Sequence, residues 1–229
     1  GSEMCIRDRN NLDLNLLVVF NAIYTEGSLT KAGEIVGITQ PAVSSALSKL
    51  RDYFDDPLFI RVGQGVQPTA KTENIRLGTG IIQISSRVPA MIAMTAQSLS
   101  RVSSDRFILG LGVSGPQVVE GLHGAAFSSP VARLEECAEI VKKAVAGHKV
   151  EYYGKHYQLP RLGGEGKAIK LSQNIRNIPM YLATLGPKAL ELTGRIADGW
   201  LGTAFVPEQA NIFLDHMEKG AKESGRSLL

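Results

Sequence analysis

Arg106-Phe107-Ile108-Leu109-Gly110-Leu111-Gly112-Val113-Ser114-Gly115-Pro116 sets a β-prone apolar run directly before a glycine-rich loop. Residues 107–113 read as a strand. Gly110 to Gly115 have the form G-x-G-x-x-G, a loop whose backbone N–H groups can approach a phosphate. A dinucleotide site is one reading, with Glu135 or Glu136 about where a ribose acid would stand. However, Pro116 follows at once, and no helix of good period begins at the third glycine. A purely structural strand-to-loop turn is the other reading.

Outward from this run, short apolar stretches alternate with helical ones. Strands are predicted at 75–84, 107–113, 178–183 and 200–205, and helices at 89–100, 130–146, 187–196 and 207–224. In the second helix Leu134, Cys137 (or Ala138) and Val141 face inward. Residues 150–159 read as a hairpin excursion around Gly154. Strands alternating with helices imply βαβ units and a parallel sheet. Four parallel strands cannot close a barrel, so the sheet keeps two edges.

Toward the N-terminus the pattern becomes purely helical. Leu16, Phe20 and Ile23 put one apolar stripe on a helix that ends at Gly27. Ser28 can cap a second helix, with Ala32, Ile35 and Val36 inward, and Gly37 closes it. Thr39 can cap a third, with Pro41 in its first turn and Val43, Leu47 and Leu50 on its inner face. Asp56-Pro57 breaks that helix. Leu58-Phe59-Ile60 and Gly65-Val66 then bracket Arg61 to Gln64 as a small hairpin. Three short helices with a tight turn between the last two make a helix-turn-helix, whose third helix fits the DNA major groove. Gln40, Ser44, Ser45 and Ser48 stand at the reading end, and Arg61 begins the hairpin, placed like a wing on flanking phosphates.

Composition sets the bounds. The chain has 229 residues, 44% hydrophobic and 21% charged, which excludes wholesale disorder. No apolar run is long enough for a membrane helix, and two cysteines exclude a disulfide framework. A reducing, cytoplasmic setting is expected. The net charge of +3 divides unevenly: residues 1–72 hold 7 basic and 8 acidic side chains, or −1, leaving +4 for residues 73–229. With so few cations in the head, DNA binding there should have a shallow salt dependence.

Ser28-Leu29-Thr30-Lys31-Ala32-Gly33, Gly37-Ile38-Thr39-Gln40-Pro41-Ala42-Val43-Ser44, Asp56-Pro57-Leu58-Phe59-Ile60-Arg61 and Gly65-Val66-Gln67-Pro68-Thr69 closely resemble the LysR-type winged helix-turn-helix. The resemblance covers about residues 11–70. It implies contact with double-stranded DNA through Thr39, Gln40, Pro41, Ser44, Ser45 and Ser48, with Arg61 and Gln64 on the wing. Ser45, Ala46 and Ser48 stand where that family usually has longer polar residues, which leaves fewer bidentate base contacts. The long linker helix and ligand-sensing domain that should follow residue 70 do not.

Ile75-Arg76-Leu77-Gly78-Thr79-Gly80-Ile81, Pro89-Ala90-Met91-Ile92-Ala93, the run 106–116 and Ala197-Asp198-Gly199-Trp200-Leu201 closely resemble the luciferase-like monooxygenase superfamily, nearest its deazaflavin-dependent oxidoreductases. This covers about residues 73–229 and implies part of a TIM-type (β/α) barrel with its cofactor at the C-terminal strand face. The implied cofactor is a deazaflavin, coenzyme F420, with FMN as the alternative. The resemblance implies that Gly80-Ile81 is a strand-end bulge under the ring, often a cis non-proline bond in that family. It further implies that Gly112, Val113, Ser114 and Gly115 line the cofactor's tail, and that Leu185-Gly186-Pro187-Lys188 forms the phosphate-binding turn.

No complete catalytic set is visible, and no metal site. In the family, strands that would precede residue 75 bring side chains to the ring's reactive edge, so weak cofactor binding at best is expected. His123, His148, His156 and His216 read as structural, Cys137 as a small buried hydrophobe and Trp200 as packing. Residues 1–10 fit no structural period, and Met4-Cys5-Ile6-Arg7-Asp8-Arg9 resembles a translated sequencing adaptor. The expected architecture is therefore mixed: an α-helical winged helix-turn-helix joined without a linker to a partial α/β barrel. Two truncations meeting at one junction suggest an assembly chimera.

Overall fold

The computed structural model describes residues 15–171, 177–203 and 205–228. The adaptor-like tail and residues 11–14 lie outside the described residues. The chain divides into two compact units, the first ending at Ile75 and the second starting at Arg76. No helix among the described residues is long and apolar enough to cross a membrane.

The first unit holds α1 (Asn15–Glu26), α2 (Leu29–Val36) and α3 (Gln40–Phe54), the antiparallel hairpin β1 (Phe59–Val62) and β2 (Gly65–Pro68), and the short α4 (Ala70–Asn74). Ser28 caps α2 by accepting the Lys31 N–H, and Gly37 ends it at φ +76°, where a Cβ would be disfavoured. The core joins Phe20 and Ile23 of α1, Ala32 of α2, Val43, Leu47 and Leu50 of α3, and Leu58 and Phe59. Ile35, expected inward, is 64% exposed. The buried face of α2 is centred on Leu29, Ala32, Gly33 and Val36, and at 3.6 residues per turn position 35 falls roughly 100° away from it.

The stretch that reads as a joint between the units is tied to the first one. Thr72 is fully buried, and its hydroxyl donates to the Leu58 carbonyl, while Lys71 donates to the carbonyl of Phe54 at 2.7 Å. Asp56 accepts from the Leu58 N–H and the Thr69 hydroxyl, both at 2.7 Å, and these bonds hold its carboxyl below the usual range. Arg51 donates to the carbonyls of Pro57 and Phe59. This network holds Leu58 at φ +59°.

The second unit runs β3 (Leu77–Gly78), β4 (Ile82–Gln83), α5 (Pro89–Val102), β5 (Phe107–Gly112), α6 (Pro116–Val119), α7 (Pro130–Val145), the hairpin β6 (Tyr152–Tyr153) and β7 (Gln158–Leu159), β8 (Met180–Ala183), α8 (Pro187–Ile196), β9 (Gly199–Trp200) and α9 (Asn211–Glu223). The pairings of the main sheet are parallel, in the order β3–β5–β8–β9 with β4 also paired to β5, while the β6–β7 hairpin is a separate antiparallel pair. Successive strands are therefore neighbours, as βα units require. The strand expected at 75–84 is two pieces of one path, interrupted where Gly80-Ile81 is cis. Leu109, Leu111 and Leu182 pack beneath Ile92, Leu134, Ala138 and Val141 of the covering helices. The strand expected at 200–205 stops at Trp200, whose ring turns onto Phe205 and Phe213 instead. The helix expected at 207–224 is a 3₁₀ turn, Pro207–Gln209, followed by α9.

Candidate functional sites

In the first unit, α3 opens at Gln40. Thr39 occupies the cap position with extended backbone, but its side chain makes no cap bond. Thr39, Gln40, Pro41, Ser45 and Ser48 are exposed and Ser44 is half-buried. Gln40 Nε2 donates to Ser44 Oγ at 3.0 Å. The hairpin brings Arg61 and Gln64 to the same place: a groove of about 350 Å³ lined by Gln40, Ser44, Arg61 and Gln64, with Ser28 and Thr30 from the start of α2. Pro41, Ser45 and Ser48 form the adjacent exposed stripe of α3 and lie outside that groove. Sequence reading passed over Thr30, and saw Ser28 only as a cap. It also could not see that Arg51, which lines the groove, is committed to two carbonyls.

In the second unit a cavity of about 1110 Å³ opens at the C-terminal ends of the parallel strands. It is lined by Gly80, Ile81, Val113, Ser114, Gly115, Leu185, Gly186, Pro187 and Lys188. Gly112 is not in the lining. A Cβ there would meet Ile81 Cδ1 at 2.3 Å and Ala183 Cβ at 3.3 Å, so its place is between strands. The wall includes residues that the sequence did not assign to the cofactor: Phe127, Pro130 and Leu134 around the start of α7, and Leu201, Gly202 and Thr203 after β9. Lys188 is the one charged side chain among the lining residues, beside the N-terminus of α8. The start of α7 faces the same space. The cavity is thus apolar over most of its wall and electropositive at one end.

The glycine loop has a packing explanation. A Cβ on Gly110 would lie 1.9 Å from the Thr79 carbonyl oxygen, and Thr79 Oγ1 both accepts the Gly110 N–H and donates to its carbonyl, each at 2.9 Å. Gly115 caps α6, a helix of four residues, so a single turn does follow the third glycine. Glu135 is paired with Arg195 at 2.5 Å. Glu136 accepts the backbone N–H groups of Lys155, His156 and Tyr157 at 2.9–3.0 Å. Neither acid is left to hold a ribose, and the structural reading of the motif stands over the dinucleotide one.

None of the four histidines lines the cavity. His123 Nε2 bonds Gln83 Oε1 at 2.7 Å, His216 lies 3.8 Å from Glu191, His148 is exposed, and His156 Nε2 is buried without a partner. Burial pushes the Cys137 thiol up to about 12, which makes it unreactive. Trp200 donates its indole N–H to the Thr184 carbonyl at 2.8 Å. No group of three or more potential metal ligands occurs among the described residues.

Residues 69–228 match the family model of luciferase-like monooxygenases, and residues 14–73 that of bacterial regulatory helix-turn-helix proteins of the lysR family. The chain belongs to the luciferase-like monooxygenase family and carries a lysR-type helix-turn-helix ahead of that domain. It is 42% identical over 163 residues to Rv3520c of Mycobacterium tuberculosis, which is named as a coenzyme F420-dependent oxidoreductase, covering 68% of this chain and 47% of that one. The coenzyme F420-dependent tetrahydromethanopterin reductase of Methanopyrus kandleri superimposes with a TM-score of 0.57 at 29% identity, covering 67% of this chain and 47% of that structure. The head is 50% identical over 60 residues to the transcriptional regulator LeuO of Escherichia coli, covering 26% of this chain and 19% of that one. The chain spans just under half the length of the oxidoreductase relatives it matches.

Proposed function

We propose that the first unit is a sequence-reading module for double-stranded DNA and that this is the activity the chain carries most completely. The observation that supports it is the convergence of Gln40 and Ser44 on α3 with Arg61 and Gln64 on the hairpin in one exposed groove. In this reading α3 enters the major groove. Thr39, Gln40, Pro41, Ser44, Ser45 and Ser48 face base edges and nearby phosphates, while Arg61 and Gln64 rest on the flanking backbone. Gln40→Ala and Ser44→Ala are then expected to weaken a preferred site by about 1–3 kcal/mol each. Arg61→Ala is expected to weaken all duplexes alike. Competition binding with a selected and a random duplex checks this, and equal losses on both duplexes for all three variants would sink the readout.

A second reading concerns the larger cavity, and its single cation at a helix N-terminus is the observation that favours it. The residues fit a phosphorylated ring cofactor. Gly186, Pro187 and Lys188 would hold the phosphate, Gly80 and Ile81 would lie against the ring, and Val113, Ser114 and Gly115 would flank the tail. The ring is a deazaflavin, coenzyme F420, with FMN as the alternative, and it would supply hydride transfer when bound. Apart from Lys188 at the phosphate end, no carboxylate, histidine or cysteine stands among the described lining residues to assist that transfer. Binding is therefore expected to be weak and salt-sensitive, because exposed phosphate contacts return little net energy, and no turnover is expected. Titration of coenzyme F420 against the chain and against Lys188→Ala, at low and high salt, tests this. Turnover with an acceptor, read as loss of reduced deazaflavin absorbance, would overturn it. A cytoplasmic location accords with both readings.

A further inference from the structure

Beside the large cavity lies a smaller chamber. It measures about 200 Å³ and shares Val113, Phe127 and Pro130 with the main space. Its polar lining is Ser85, Ser128, Arg133 and Tyr157, with no carboxylate among the lining residues. Ser85 Oγ is buried and has no hydrogen-bond partner. Arg133 donates its Nε to the Ser128 carbonyl at 2.9 Å and makes no ion pair among the described residues, which leaves its Nη groups for a ligand. Burial pushes Tyr157 up to about 12, so at neutral pH it remains an O–H donor.

The β6–β7 hairpin explains how Tyr157 comes to be there. One carboxylate oxygen of Glu136, Oε2, accepts the N–H groups of His156 and Tyr157, and Oε1 accepts that of Lys155. A Cβ on Gly154 would come within 2.4 Å of Glu136 Oε2, so the hairpin tip is seated directly on that side chain. The excursion thus delivers one side chain to a chamber wall, at a cost in chain length that the sheet itself does not require.

A permanent cation and two hydroxyls with unused hydrogen-bonding capacity, lining a partly open chamber with no carboxylate, call for a ligand rich in acceptors and negative in charge. A guanidinium edge matches a planar carboxylate. At roughly 30 Å³ per liquid water, the chamber holds about six or seven heavy atoms, enough for a small carboxylate and little more. We propose that this chamber is a carboxylate subsite, in which Arg133, Ser85 and Tyr157 receive a small carboxylate group. The group belongs either to a free small acid or to the arm of a larger molecule whose body lies in the main cavity. The proposal does not depend on which ring, if any, the main cavity holds.

The test is an amide NMR titration of the full chain with sodium acetate, ionic strength balanced by chloride, and separately with 4-phenylbutyrate. Saturable shifts are expected at Ser85, Ala126 and Phe127. Arg133→Met is expected to weaken binding by about 10-fold or more and Ser85→Ala by a few-fold, with Arg133→Lys retaining part of the affinity. Acetate saturating as readily as 4-phenylbutyrate assigns the site to a free acid. Binding of 4-phenylbutyrate at least about 10-fold tighter, with shifts also at Leu201 and Thr203, assigns it to the arm of a larger ligand. No saturable shift with either probe overturns the proposal. So do shifts that Arg133→Met and Ser85→Ala leave unchanged in a chain whose remaining spectrum is native. Either failure leaves the phosphate end at Lys188 untouched, so it is distinguishable from failure of the cofactor reading.

Discussion

Replacing Gly110 by alanine sets a new methyl against main chain rather than against a movable side chain. The added Cβ would lie 1.9 Å from the Thr79 carbonyl oxygen and 2.8 Å from Leu201 Cδ1. Leu201 can rotate away, but the carbonyl moves only if the path between β3 and β4 moves with it. That displacement breaks the two 2.9 Å bonds between Thr79 Oγ1 and the Gly110 peptide groups. Overpacking of this kind costs about 1–3 kcal/mol and each lost hydrogen bond about 1 kcal/mol, so Gly110→Ala is expected to destabilise the second unit by about 3–5 kcal/mol. Gly112→Ala meets the far end of the Ile81 side chain at 2.3 Å, which can swing aside, and is expected to cost about 1 kcal/mol. The assay is urea unfolding followed by tryptophan fluorescence. Trp200 is the one tryptophan and lies in the second unit, so the signal does not report the head. With a slope of about 1–3 kcal/mol per molar urea, Gly110→Ala should lower the midpoint by at least about 1 M or leave the unit unfolded in buffer. A midpoint within about 0.3 M of the parent, or a larger loss for Gly112→Ala, would show that close approach to Thr79 is not what requires glycine at 110.

Two further outcomes concern the head. The Asp56 carboxyl is held below its ordinary value of 3.8 by the Thr69 hydroxyl and the Leu58 N–H. A lowered folded pKa adds stability that is present above that ordinary value and is lost as the pH falls through the folded one. Acid unfolding of the first unit, followed by the Leu58 methyl signals, should therefore steepen below about pH 4, and Asp56→Asn should flatten it. Leu50→Ala, at a fully buried position of α3, is expected to cost the head about 2–5 kcal/mol while leaving the Trp200 transition where it was. A shift of the Trp200 midpoint in that variant would mean the two units unfold as one.

Much of the secondary structure was legible because it rests on local periods. Val43, Leu47 and Leu50 recur at helical spacing and all face the core of the head. The apolar run expected as a strand at 107–113 is one, Phe107–Gly112, paired on both sides. Ser28 and Gly37 bound α2 because a cap and a left-handed residue act within one turn. Where such a signal was short or shared, the boundary moved. The eight-residue α2 turned Ile35 outward, and Trp200 left the strand for an aromatic cluster.

What the tertiary structure alone decided lies in contacts between residues far apart in the chain. Gly110 looks like part of a phosphate loop until Thr79, 31 residues earlier, is found against it. Glu136 looks like a candidate ribose acid until three N–H groups from a hairpin some 20 residues on are found donating to it. Arg51 and Lys71 count as head cations in the sequence, but Arg51 donates to the carbonyls of Pro57 and Phe59 and Lys71 to that of Phe54. Phe127, Leu201 and Thr203 belong to the large cavity only because the parallel order brings the loops after β5 and β9 to one end of the sheet. Periodicity records which face of its own element a side chain occupies. Which distant groups it meets there is set by how the elements pack, and that pairing leaves no local trace in the sequence.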